Sequence, residues 1–237
     1  MNHSIKSLAL LSVVLLCASP AVSRHRAGVA QPRGVILSAV PQKIDKGALY
    51  LFCLHGRIVE QGRRPTHPDY GAYEYDQILD AFKQRGFVVI SEQRKVGTDI
   101  EQYGAKVARQ VRRLLAAGVP PRHITVVGAS QGAGIAMLAS TYLKNRRLNF
   151  VIMAGCSANE GFLRLVNLHG NVLSIYEQSD QARSCDRYRA DATGIADYRE
   201  VALNTGLRHG FIYRPMSEWV EPAVAWAQAQ ANGKGGK

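Results

Sequence analysis

The sequence predicts an α/β fold: a mainly parallel sheet with helices on both faces. Three observations predict it. Short unbroken apolar runs, such as residues 48–54 (ALYLFCL), recur along the chain, as they do in strands buried on both faces. Longer segments between them repeat apolar residues at helical spacing. The two kinds alternate over nearly the whole of residues 34–231, the order expected of strand–helix–strand units.

In chain order, residues 34–40 read as a short first strand and residues 48–54 as a fully buried second. A polar loop runs from His55 to about Tyr70. Residues 73–85 form a helix, with Tyr75, Ile78, Leu79 and Phe82 on one face and Gly86 closing it as a C-terminal cap. Residues 87–90 give the next strand. Residues 100–117 give a helix with Val107, Val111, Leu114 and Leu115 on its apolar face, stopped by Gly118-Val119-Pro120-Pro121. Strand 124–127 leads to helix 131–144, followed by strands at 150–153, 172–176 and 200–203 and a closing helix at 217–230. The connection 159–170 holds one short helical pattern at most, which leaves no room for a large cap domain. No internal repeat is visible.

The chain has 237 residues, 46% of them hydrophobic, enough for one domain with a sizeable core. Residues 1–23 read as a signal peptide: Lys6, the apolar run Leu8–Cys17, Pro20, then the small-residue pattern Ala21-Val22-Ser23. Cleavage is expected after Ser23, and the protein is expected to be exported, periplasmic or secreted. Residues 24–33 read as a flexible arm, 34–231 as the folded domain, and 232–237 as a disordered Gly/Lys tail. After residue 23 no apolar stretch reaches the ~18 residues of a membrane span. The formal net charge of +12 attracts anions. The charge is scattered and lacks aromatic interleaving, which argues against a nucleic-acid partner and leaves weak association with an anionic envelope surface. Among the cysteines, Cys53 sits inside an apolar strand, while Cys156 and Cys185 each follow a strand end. Those two are expected to pair, because an exported protein permits a disulfide.

The strongest signal is Gly128-Ala129-Ser130-Gln131-Gly132, directly after strand 124–127 and directly before a helix. A nucleophile on so tight a turn needs strained backbone angles and small neighbours, which Gly128, Gly132 and Gly134 supply. The helix N-terminus behind it favours developing negative charge at Ser130.

With this motif in this order of elements, the chain resembles the α/β-hydrolase superfamily over roughly residues 34–230, as a minimal member. Two further sites carry the resemblance: Leu54-His55-Gly56 after the second strand, and Arg208-His209-Gly210-Phe211 between the last strand and the last helix. The resemblance implies that the backbone N–H groups of Arg57 and Gln131 form an oxyanion hole, with the His55 side chain bracing the loop. It implies His209 as the general base of Ser130, with the acid just past the penultimate strand. Asp180 is expected there, with Glu177 as the alternative, giving the order Ser130, Asp180, His209.

The implied activity is cleavage of an ester or related acyl bond, carboxylesterase-like, through an acyl-enzyme on Ser130 with no metal or organic cofactor. The implied substrate is a small acyl ester. Peptidases, thioesterases and acyltransferases use the same machinery. The competing reading is a non-catalytic protein of this fold that binds an acidic envelope polymer or a protein partner. Arg57, Arg63, Arg64 and Arg94 lie in loops near the expected site, and either hold an anionic substrate group or are solvated surface charges.

Overall fold

The computed structural model describes residues 1, 34–156 and 159–233. The expected signal peptide beyond Met1, the arm 24–33 and the tail from residue 234 lie outside the described residues.

The chain opens with strands β1 (Val35–Leu37) and β2 (Tyr50–Leu54). A single 3-10 turn (Arg57–Gln61) follows, then a small hairpin of β3 (Thr66–His67) and β4 (Gly71–Ala72). Next come α1 (Tyr75–Lys83), β5 (Val88–Ile90), α2 (Ile100–Ala116), β6 (Ile124–Ala129) and α3 (Gln131–Leu143). The remainder is β7 (Asn149–Met153), α4 (Glu160–Leu165), β8 (His169–Glu177), α5 (Asp186–Ala190), β9 (Gly194–Leu203) and α6 (Ser217–Ala231).

Seven strands form one sheet in the order β1-β5-β2-β6-β7-β8-β9. Every neighbouring pair is parallel. The sheet expected to be mainly parallel is parallel throughout, with helices on both faces. Alternation along the central strands shows why their sequences are apolar without a break. Leu51, Cys53, Val127 and Val151 pack with Phe82 of α1 and Trp219 of α6. Their neighbours Phe52, Val126 and Phe150 pack with Val111 of α2 and Leu138 of α3 on the other face. Both faces are covered, so neither side of a strand can be polar.

Two strands are longer than their apolar runs announce. β8 starts at His169 and β9 at Gly194, against expected starts of 172 and 200. β9 is the sheet edge, and many of its side chains reach solvent. Its pairing with β8 rests on backbone bonds rather than a continuous apolar run. The two-residue strands β3 and β4 are too short to show any periodicity. α6 ends at Ala231, and the N–H groups of Asn232 and Gly233 continue it by bonding to Gln228 and Gln230.

Because the strands are parallel, the loops after β2, β5, β6, β7, β8 and β9 all leave by the same edge. That edge is where open α/β sheets present ligand sites.

Candidate active site

β6 runs to Ala129, so Ser130 stands at the junction of strand and helix with φ 54° and ψ −119°. An L-residue rarely adopts such a positive φ, and strain of this kind persists only where surroundings enforce it. Here the Ser130 N–H donates to the Met153 carbonyl at 2.8 Å, and the Ser130 carbonyl accepts from Ala133 and Gly134 at 2.9 and 3.3 Å. The two flanking glycines have a steric reason. A Cβ on Gly128 would stand 2.2 Å from the Gly132 carbonyl oxygen, and one on Gly132 would stand 2.0 Å from that of Leu54. No side chain fits at either position, so strand, turn and the end of β2 pack backbone to backbone.

His209 lies in the 3-10 turn Arg208–Tyr213, anchored in the core by fully buried Phe211. Its Nε2 is 3.0 Å from Ser130 Oγ, and its Nδ1 is 2.8 Å from Asp180 Oδ2. An ionised carboxylate only accepts, so Nδ1 carries the proton and Nε2 is left to accept from the serine hydroxyl. Asp180 is buried, and its other oxygen accepts the Gln181 N–H at 2.7 Å. The structure therefore brings together Ser130, His209 and Asp180.

Glu177 is not part of this line. It is fully buried, with Oε2 accepting from the Thr205 N–H and hydroxyl at 2.8 and 2.6 Å, and Oε1 from those of Ser179 at 3.3 and 3.1 Å. Burial pushes its carboxyl pKa up, but the bonds from Thr205 and Ser179 outweigh that and hold it below the ordinary range. The Ser179 hydroxyl also accepts the Arg208 N–H at 3.2 Å. Glu177 and Ser179 thus tie the loop bearing Asp180 to the loop bearing His209.

On the opposite side of Ser130, buried His55 donates from Nδ1 to the Gly56 carbonyl at 2.8 Å. Its Nε2 accepts the Arg94 N–H at 2.9 Å. A carbonyl can only accept and an N–H only donate, so both partners demand the neutral imidazole. Burial, helped by the Arg94 charge, lowers its pKa to about 3. Arg94 is buried too. Its Nη2 donates to the His55 carbonyl at 2.6 Å and to Gln131 Oε1 at 2.9 Å. Its Nε lies 3.5 Å from the buried Glu60 carboxylate. Burial lowers the Arg94 pKa, against the attraction of Tyr103 and Glu60. Arg94 is neither a surface charge nor a group open to substrate. It joins the loop after β2 to the first residue of α3.

The N–H groups of Arg57 and Gln131 open their respective helical turns and make no hydrogen bond within the described residues. Both residues line the cleft that exposes Ser130. Its volume is about 1010 Å³, and Tyr70, Phe162, Arg208 and His209 also line it. A second cavity of about 400 Å³ reaches Ser130 and His209 from the other direction, past Ile58, Tyr73, Ile212 and Tyr213. Arg63 is paired with Asp76 and lies 4.9 Å from the Tyr75 ring centre. Neither Arg63 nor Arg64 lines the cleft.

Cys156 and Cys185 are bonded, with Cα atoms 5.1 Å apart. The bridge joins the loop after β7 to the loop bearing Asp180. Among the described residues Cys53 is the free cysteine. It is buried, which pushes its thiol pKa up to about 12 and keeps it from acting as a nucleophile. The residues that the sequence did not single out for this site are Glu60, Ser179 and Thr205. None belongs to a recognisable pattern.

No protein-family model matches the sequence, and no curated protein matches it. Solved structures do. An Agrobacterium tumefaciens protein of unknown function, itself only proposed to be an α/β hydrolase, superposes with a TM-score of 0.54 at 20% identity, covering 82% of this chain and 90% of that one. SOBER1 from Arabidopsis thaliana gives 0.51 at 11% identity, covering 78% and 99%. The esterase PE8 gives 0.50 at 18% identity, covering 81% and 95%. At such identities the likeness shows the shared fold.

Proposed function

We propose that this chain, by its fold a member of the α/β-hydrolase superfamily, is a serine hydrolase that cleaves an ester or related acyl bond. The observation that carries the proposal is the hydrogen-bonded line from Ser130 through His209 to Asp180, set on a strained strand-to-helix turn. A binding protein has no use for a serine held at this backbone angle with an imidazole 3.0 Å away.

In the proposed reaction His209 Nε2 takes the Ser130 proton as Oγ bonds to the substrate's carbonyl carbon. The carbonyl oxygen becomes an oxyanion held by the Arg57 and Gln131 N–H groups. Asp180 keeps the imidazole tautomer and stabilises the imidazolium. The carbon–oxygen bond to the alcohol breaks, and the alcohol leaves with the proton from Nε2. Water repeats the sequence on the acyl-enzyme, giving the free acid and restoring Ser130.

The same reading puts the protein outside the cytoplasm, exported to the periplasm or medium. The leader pattern at residues 1–23 and the Cys156–Cys185 bridge support it, since disulfides persist in oxidising compartments.

The test is labelling of the purified protein by a fluorophosphonate, with the modified residue mapped by mass spectrometry. Labelling is expected at Ser130 and should vanish in Ser130→Ala and His209→Ala. A folded sample with its disulfide formed that resists labelling, and hydrolyses no ester in a broad panel, would transfer the site to a binding role.

A further inference from the structure

The cleft at Ser130 is electrostatically one-sided. Its acidic lining residue is Asp180, whose carboxylate is already committed to His209 and to the Gln181 N–H. Its arginines are Arg57 and Arg208, both exposed, and neither forms an ion pair within the described residues. Of the other arginines of these loops, Arg63 pairs with Asp76, Arg94 is buried on Glu60 and Arg183 Nε is 3.4 Å from the Asp180 carbonyl, while Arg64 is exposed but does not line the cleft. Two uncompensated guanidinium groups in a walled cleft concentrate positive potential where substrate must enter.

Arg208 is also held in place beforehand. It adopts φ 50°, a backbone angle that an L-residue takes only under constraint. Its N–H is bound by Ser179 Oγ, and its guanidinium carbon lies 5.6 Å from the Tyr70 ring centre. The backbone that carries this cation is thus ordered before an anion arrives. The smaller cavity is lined by Ile58, Tyr73, Ile212 and Tyr213 together with the uncharged polar side chains of Gln61 and Thr66 and with His67, and it lacks Arg208. Arg57 borders both spaces, whereas Arg208 borders the larger cleft.

We infer that the substrate is an ester with unlike arms: a neutral arm for the smaller cavity, and an arm bearing a carboxylate or phosphate held by Arg57 and Arg208 in the larger cleft. The inference rests on the hydrolase reading above and names its substrate class. Guanidinium is the group best shaped for either anion, since its planar fork can donate two parallel bonds.

Two matched pairs of chromogenic esters test it. 4-Nitrophenyl hydrogen adipate and its methyl ester differ by a charge on the acyl side. The butyrate esters of 4-hydroxybenzoate and of methyl 4-hydroxybenzoate differ by a charge on the alcohol side. In at least one pair kcat/KM is expected to favour the charged member by about tenfold, the scale of one charge-assisted contact. That preference should shrink in 0.5 M NaCl, and in Arg208→Gln and Arg57→Gln the ratio within the pair should collapse toward one. Thermal melting checks that the variants fold, and the salt dependence of the wild type tests the inference without any variant. Equal rates, or faster neutral esters, in both pairs would overturn the inference while fluorophosphonate labelling at Ser130 left the hydrolase reading standing. Absence of both labelling and turnover would remove the hydrolase reading itself, and the inference with it.

Discussion

On one side of Ser130, where Gly56 and Arg57 meet Gln131, the loops are held from within by buried groups. On the other, where Asp180 meets His209, they are held by bonds between loops and by a disulfide. The first side uses His55, Arg94 and Glu60, all removed from water, with one guanidinium nitrogen touching both loops. The second uses Glu177, Ser179 and Thr205, while His209 keeps 27% of its side chain exposed. In the proposed mechanism the first side only presents fixed N–H dipoles, so it can be sealed. The second must pass a proton to and from a substrate, so it must stay open. Buried groups and bonds between loops fix both sides, Glu177 being as buried as Arg94, and the difference is that the second side leaves the proposed catalytic side chain, His209, open to the cleft.

The largest expected effect lies on the open side. Asp180→Asn should lower kcat/KM about 10³–10⁴-fold by releasing the His209 tautomer, whereas Glu177→Gln should mainly lower stability. Steady-state kinetics with thermal melts separate the two, and the reverse ranking would give Glu177 the acid's part. On the sealed side, Arg94→Met should lower kcat by about 10²-fold through loosened oxyanion donors. It should also reduce the unfolding free energy by about 3–5 kcal/mol by leaving Glu60 buried without its partner. Adding Glu60→Gln should restore stability in urea titrations but not kcat. Recovery of both would mean that Arg94 supports the fold alone.

Removing the bridge by Cys156→Ala with Cys185→Ala should lower stability by about 2–4 kcal/mol, with a smaller loss of activity than Arg94→Met causes. A larger loss of activity would show that the open side depends on its covalent brace more than on its hydrogen bonds. Between pH 7 and 5 the smallest effect, about 2 kcal/mol, is the pH dependence from His55. Unfolded, this imidazole protonates near its ordinary value of 6.5; folded, only at about 3. The unfolded chain therefore binds more protons between those values, and stability should fall as pH drops from 6.5 toward 3, by at most about 1.4 kcal/mol per pH unit. Urea unfolding at pH 7 and 5 should show a shallower loss for His55→Gln than for the wild type.

The fold was legible because buried parallel strands leave unbroken apolar runs, as Tyr50–Leu54 does. The turn at Ser130 was legible because its packing forbids side chains at Gly128 and Gly132, and glycines at fixed spacing are visible in a sequence. His209 and Asp180, the latter with Glu177 as its alternative, could be expected because the resemblance to the α/β-hydrolase superfamily implies which loops carry the base and the acid. Arg94 was not legible in this way. Its partners His55, Glu60 and Gln131 come from other loops, and nothing local to Arg94 distinguishes a buried guanidinium from a solvated one. The length of β9 was hidden for a related reason. An edge strand can satisfy its backbone against one neighbour while its side chains stay mixed.

The all-parallel arrangement of the sheet has a consequence for how the chain reaches its native state. No two neighbouring strands of the sheet are joined by a hairpin, and β5, which comes later in the chain, sits between β1 and β2. Every pairing needs a crossover closed first, so contacts are distant in sequence, and such topologies fold slowly. During that interval the apolar strands Tyr50–Leu54 and Asn149–Met153 expose unpaired edges, and dilute refolding should give higher yields than concentrated refolding.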